Sequence, residues 1–281
     1  MSTKLDVGAW AKPRDSRLIH VSNNTVYPKR VVVALIGGLG NQMFQRAFGL
    51  ALGTSEREIY YNIDRCADYS LSYFENLPLS GAMDTKIFEE NLSYNESYLH
   101  TTKAPCMVLG FWQSEKYFAN VADRIRQIFS FKAPSTDAVS QLVSAVQEPD
   151  STFLHVRRGD YVNLQHYHGM PSLEYYTGAV RLIREAHPSA KVFVFSDDRS
   201  WCRENLPSDF IIVDGTDKFE DLHLMSLCQH AILANSSFSW WGAWLGDARP
   251  ERTVVAPKIW FAMQNLQQNS QDLIPDRWIR L

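Results

Sequence analysis

The chain reads as an α/β protein built on parallel sheet, and three observations predict it. Residues 31–36 and 152–156 are continuous apolar runs with β-branched residues and no polar face, as in strands covered on both sides. From residue 152 onward such runs alternate with helical patterns, the signature of successive βαβ units. Polar residues collect where these runs stop, which is the edge at which open parallel sheets bind ligands.

Taken in order, residues 1–30 are polar and read as a flexible leader. The strand at 31–36 is followed by Gly37-Gly-Leu-Gly-Asn-Gln42 and then a helix pattern with Phe44, Phe48 and Leu52 on one face. A strand, a glycine turn and a helix start bring backbone amides close to a polar ligand. The run resembles a dinucleotide fingerprint, but Met43 stands at its third glycine; a tight turn with Asn41 as helix cap accounts for it equally. A second strand covers 58–63 and residues 65–105 are irregular. A strand at 107–111 and a helix at 115–129 follow, and Pro134 opens another helical stretch. Residues 147–151 form a hinge, dividing a first domain (31–150) from a second (151–281), although any division between 130 and 152 fits.

In the second domain, strands are predicted at 152–156, 191–195, 210–213, 231–234 and 253–256. Helices are predicted at 172–185, 199–204, 217–229 and 239–245. The first strand ends at His155 and the Arg157-Arg158-Gly-Asp160 run, the second at Ser196-Asp197-Asp198, the third at Asp214-Gly215 and the fourth at Asn235-Ser236-Ser237. A guanidinium fork matches two phosphate oxygens at once, so the arginine pair points to a phosphorylated ligand. Pairing of either arginine with Asp160 or with an interdomain carboxylate is the alternative. Serines at a helix start offer hydroxyls and free amides to a second phosphate. Trp240 and Trp244 are assigned to the core, and 272–281 is a terminal segment anchored by Trp278 and Ile279.

Composition narrows the function. The chain has 281 residues, 45% of them hydrophobic, enough for a sizeable core. A net charge of -3 lacks the basic footprint of nucleic-acid binding. The four cysteines are far apart without metal-ligand spacing and read as free thiols. No apolar run reaches membrane-spanning length and no signal-peptide core is visible, so a cytoplasmic protein is expected.

The runs Gly37–Gln45, His155–Val162, Phe195–Asp198, Glu220–Leu222, Asn235–Leu245 and Val255–Phe261, in that order, resemble the α-1,2-fucosyltransferases of glycosyltransferase family 11. The resemblance implies a GT-B architecture, two Rossmann-like domains facing a cleft. GDP-fucose would be held by the second domain and a galactose-terminated oligosaccharide by the first. It further implies metal-independent transfer with inversion to the galactose 2-hydroxyl, in a bacterial setting that leaves room for a peripheral seat at the inner membrane. By the same likeness Arg157 grips the β-phosphate, with Asp160 orienting the arginines. Arg158, Asp197, Asp198, Asn235, Ser236, Ser237 and Phe238 surround the donor. Asp221 reads guanine with His155 beside it; a plain helix-start acid is its other reading. Gly38, Gly40, Asn41 and Gln42 line the acceptor side. Asp197-Asp198 is the one carboxylate pair that could tempt a cation. The base is open: His168, Asp160, or none if the path is strongly dissociative. Arg46 departs from the family pattern, which usually has an uncharged residue there. An inactive binding protein of the same fold remains the competing function.

Overall fold

A computed structural model describes residues 29–54, 57–100 and 105–281. Residues 1–28 of the predicted leader lie outside the described residues, and Lys29 and Arg30 already belong to the first strand. Contacts divide the chain into two units. One runs to Ser130 and takes back Asn269–Leu273; the other holds Phe131–Gln268 and Ile274–Leu281.

The first unit contains β1 (Lys29–Ala34), α1 (Leu39–Leu52), β2 (Arg57–Asn62), β3 (Lys86–Phe88), α2 (Ser97–His100), β4 (Cys106–Leu109) and α3 (Ala122–Ile128). Its sheet has the order β2-β1-β4-β3, with every pairing parallel. Strand β3 was not foreseen: at three residues it is too short for a periodic signal, and pairing with β4 makes it a strand. The helix predicted over 115–129 is two 3-10 turns followed by the shorter α3, with Phe118 and Ile125 buried and Ile128 half-buried.

The second unit contains α4 (Asp137–Val146), β5 (Thr152–Val156), α5 (Gln165–His168), α6 (Leu173–Ala186), β6 (Val192–Ser196), α7 (Arg199–Asn205), β7 (Ile211–Ile212) and α8 (Lys218–Leu227). It continues through β8 (His230–Ile232), α9 (Ser237–Leu245), β9 (Val254–Ala256), α10 (Gln264–Gln268) and β10 (Ile279–Arg280). The strand order is β10-β9-β8-β5-β6-β7, again all parallel. Helix α6 shows how the pattern produces the packing. Ser172 accepts the Tyr175 N–H at its start, and Tyr176, Ala179, Val180 and Ile183 bury one stripe against Leu154, Val192 and Val194. Trp240 and Trp244 are core, as expected. Ile279 is exposed, so Trp278 and backbone pairing of β10 with β9, rather than the Ile279 side chain, hold the terminal segment.

These orders place the switch points. In the second unit the chain runs from β5 outward through β6 and β7, then returns to the other side of β5 as β8. In the first unit β1 is flanked by β2 on one side and by the later β4 on the other. Strands diverge there, leaving a crevice at their carboxyl ends.

Candidate functional site

The carboxyl end of β5 carries the arginine run. Arg157 Nη2 donates to Asp160 Oδ1 at 2.6 Å, and its Nη1 lies 2.9 Å from Asp197 Oδ2. The other Asp197 oxygen accepts the Arg158 backbone N–H at 2.9 Å. Asp197 therefore clamps both the side chain of Arg157 and the turn after it. Gly159 makes this possible: a Cβ there would sit 2.6 Å from Asp197 Oδ2. The Arg157 side chain remains 35% exposed, so it is oriented yet open to a ligand.

Arg158 is committed differently. Its Nε donates to Asp198 Oδ2 at 3.1 Å, and its guanidinium lies 4.2 Å over the Trp201 ring. Asp198 also caps α7 through the Trp201 N–H. The two carboxylates that could have tempted a cation are thus engaged by arginines and a helix start.

Across the switch point stands the start of α9. Ser236 caps it, accepting the Phe238 N–H, and leaves first-turn amides without intrahelical partners. The His155 ring lies 5.7 Å from that of Phe238, which joins the end of β5 to this helix start. His155 is buried and its Nδ1 has no partner. Burial, and then the Arg157 charge, hold its pKa down at about 3, so it is neutral at physiological pH.

Asn235 does not offer its side chain to a ligand. It is 1% exposed, and its amide donates to the carbonyls of His168 at 2.8 Å and Trp260 at 3.0 Å. Tyr161 is the member that sequence reasoning missed. Its ring stacks flat on His168 at 4.1 Å, lies 5.6 Å from the Arg157 guanidinium, and its hydroxyl donates to the Asn235 carbonyl. Its position one residue beyond Asp160 was the available signal. Burial lowers the His168 pKa to about 4, leaving a neutral imidazole.

Asp221 sits in the first turn of α8 beside Asp217, which forms a capping box with Glu220. Its Oδ1 accepts from Thr216 Oγ1 at 2.5 Å, and Arg199 stands 3.9 Å from its other oxygen. Burial raises its pKa to about 6.

In the first unit, Gly38 is exposed at the start of α1, and Asn41 is half-buried rather than capping the helix. Gly40 and Gln42 are buried. The Gln42 amide is fully used, donating to the carbonyls of Gly37 and Asp68 and accepting the N–H of Ser70 and Leu71. Gln42 staples a loop and does not line a surface. Arg46 is also internal, donating to both Glu75 oxygens and to the Tyr61 hydroxyl.

Among the described residues one group has the make-up of a metal site: Asp150, His187 and His230, at the amino edge of the second sheet. It does not fit an ion. His230 Nδ1 accepts the Thr253 N–H at 3.1 Å, so Nε2 carries the ring proton and has no lone pair to give. The four cysteines are free.

The model of the Glycosyl transferase family 11 matches residues 83–281. The chain belongs to that family. An α-1,2-colitosyltransferase of Escherichia coli is 32% identical, over 89% of this chain and 98% of its own length. The Escherichia coli O-antigen biosynthesis glycosyltransferase WbnK is 36% identical over 48% of this chain and 46% of its own. The bovine galactoside α-(1,2)-fucosyltransferase 1 is 29% identical over 74% and 64%. Among solved structures, POFUT1 in complex with GDP-fucose aligns with a TM-score of 0.45 at 12% identity, over 83% of this chain and 99% of that one. Membership of family 11 agrees with the two parallel α/β units described above, which are the components of a GT-B architecture. No helix among the described residues is long and apolar enough to cross a membrane.

Proposed function

We propose that this family 11 glycosyltransferase moves L-fucose from GDP-β-L-fucose to the 2-hydroxyl of a galactose residue in a glycan, with inversion and without a metal. The reading rests on one juxtaposition: the oriented but open Arg157 guanidinium and the free amides starting α9, at the ends of adjacent strands β5 and β8. A diphosphate set there would meet a cation on one side and a helix N-terminus on the other. As the bond between fucose C1 and the β-phosphate oxygen breaks, negative charge grows on departing GDP, and Arg157 is aimed to neutralise it. The acceptor oxygen attacks C1 from the opposite face, and its proton passes to Asp160 or His168, or to the departing phosphate. Ser237 and Phe238 flank the diphosphate, while Asp221 and His155 serve the guanine. The acceptor galactose is taken by the first unit near Gly38 and Asn41. The chain works in the cytoplasm, alone or at the inner-membrane surface.

The likeness to a colitosyltransferase along nearly its whole length favours one alternative donor. Colitose is L-fucose without its 3-hydroxyl, so the same phosphate chemistry would serve. Release of GDP from GDP-fucose and from GDP-colitose, with and without lactose, tests both. Acceptor-dependent release from GDP-fucose is expected. Release from GDP-colitose alone would reassign the donor, and tight GDP binding without release from either would leave a binding protein.

A further inference from the structure

Glu89 follows β3 and is 3% exposed, yet no cation is among its hydrogen-bond partners. A carboxylate buried in that way is costly unless its oxygens are satisfied. They are satisfied by two successive backbone amides beyond β4: Phe111 N–H at 2.6 Å and Trp112 N–H at 3.1 Å. The approach is close enough that a Cβ on Gly110 would lie 2.7 Å from Glu89 Oε2. The turn held in this way is not relaxed. Trp112 has φ 55°, in the left-handed region, and its ring is stacked on Phe48 of α1 at 4.1 Å.

Next in the chain, Gln113 donates through Nε2 to Asn41 Oδ1 at 2.8 Å. Asn41 lies in the first turn of α1, its amide packed over Gly37. Gln45 fastens the other side of the turn, accepting the Ile36 N–H and donating to the Gly110 carbonyl at 3.0 Å. The ends of β1 and β4, on the two sides of the first unit's switch point, are therefore set by one hydrogen-bonded chain that begins at Glu89.

We propose that Glu89 is a positioning residue for acceptor binding: by fixing the 110–113 turn it sets Gln113, and through Gln113 the Asn41 side chain. This rests on the reading that the first unit takes the acceptor. Burial raises the Glu89 pKa to about 7, opposed by the two amides. The titratable groups facing it are the phenols of Tyr98 and Tyr117, with Glu90 beside Tyr98. Glu89→Gln keeps the shape but presents an NH2 to one of two backbone donors, so the turn loses one anchor.

The experiment measures steady-state kinetics of Glu89→Gln and of Gln113→Ala, which leaves the buried carboxylate intact. At saturating GDP-fucose, the KM for lactose should rise about tenfold or more in both variants. The KM for GDP-fucose and the slow acceptor-free release of GDP should stay within twofold of wild type. A role in stability alone would lower the active fraction and leave both KM values in place, and that result overturns the proposal. If Glu89→Gln does not fold, Gln113→Ala decides by the same split. A wild type that uses no galactoside defeats the proposed function separately. The positioning role is then judged by amide exchange, which must quicken at Phe111 and Trp112 in Glu89→Gln for it to stand.

Discussion

The Arg157 guanidinium is held between Asp160 and Asp197, so its aim depends on two carboxylates from two strand ends. Arg157→Ala should leave the fold intact and lower kcat on the order of a hundredfold or more, the usual loss when a donor to developing charge is removed. Near-normal kcat in a well-folded variant would defeat the assignment. Asp197→Asn keeps the volume but weakens the clamp on Arg157 and on the Arg158 amide, and kcat should drop about tenfold to a hundredfold from misplacement alone. Asp221 gives a pH signature. Its carboxyl titrates at about 6, above the ordinary 3.8, so its stabilising contribution is complete below 3.8 and lost as pH rises through 6. On the proposed role of Asp221, guanine recognition needs the ionised form. GDP should therefore bind about tenfold more weakly at pH 5 than at neutral pH, where protonation no longer competes. Calorimetry across this range should find that slope absent in Asp221→Asn. His155 and His168, at about 3 and 4, should add no ionisation above pH 5.

Helices α8 and α9 meet where Gly242 faces Met225. A Cβ at Gly242 would lie 2.8 Å from Met225 Cβ, so the glycine sets how near the helices come. Gly242→Ala should destabilise the protein by about 1–3 kcal/mol through overpacking, read as a lower urea midpoint with unchanged slope. Because Ser236 caps α9 and α8 carries Asp221, the proposed donor site predicts that the same variant weakens GDP binding as well. At this scale five of the six strands of the second sheet were legible as apolar runs, β10 being two exposed residues made a strand by pairing with β9, and α6 was legible because its 3.6-residue stripe is clean. That serines lead α9 was also legible, although the helix begins at Ser237, two residues before the predicted 239. β3 was not: three residues carry no period, and its partner lies about twenty residues further along the chain.

Both sheets place polar residues beside a switch point, and the molecule treats the two differently. The second unit offers a partly open arginine and a helix start, while the first offers a hydrogen-bonded turn beside an exposed Gly38 and a half-buried Asn41. The chain also re-enters the first unit late. Asp272 accepts the Tyr94 N–H at 3.0 Å and pairs with Lys116. Asp272→Ala would leave that amide without its acceptor and should cost about 1–3 kcal/mol, measured by denaturant unfolding. The division found from contacts, at Ser130 and Phe131, lies at the early end of the predicted window, and α4 goes with the second unit. A hinge composition at 147–151 cannot reveal this, because which sheet a helix packs on is a long-range property.

Sequence alone determined the α/β class, the parallel strands, the serine-led start of α9 and Arg157 at the end of β5. Each is written in local chemistry: apolar runs, period, caps and turn residues. Only the tertiary structure decided which polar residues stay available. It engaged Arg158 with Asp198 and Trp201, enclosed Asn235 and Gln42, brought Tyr161 between Arg157 and His168, and set Glu89 beneath the turn after β4. The reason is that a polar side chain removed from water must find its partners wherever the fold supplies them, and most of those partners are distant in the chain.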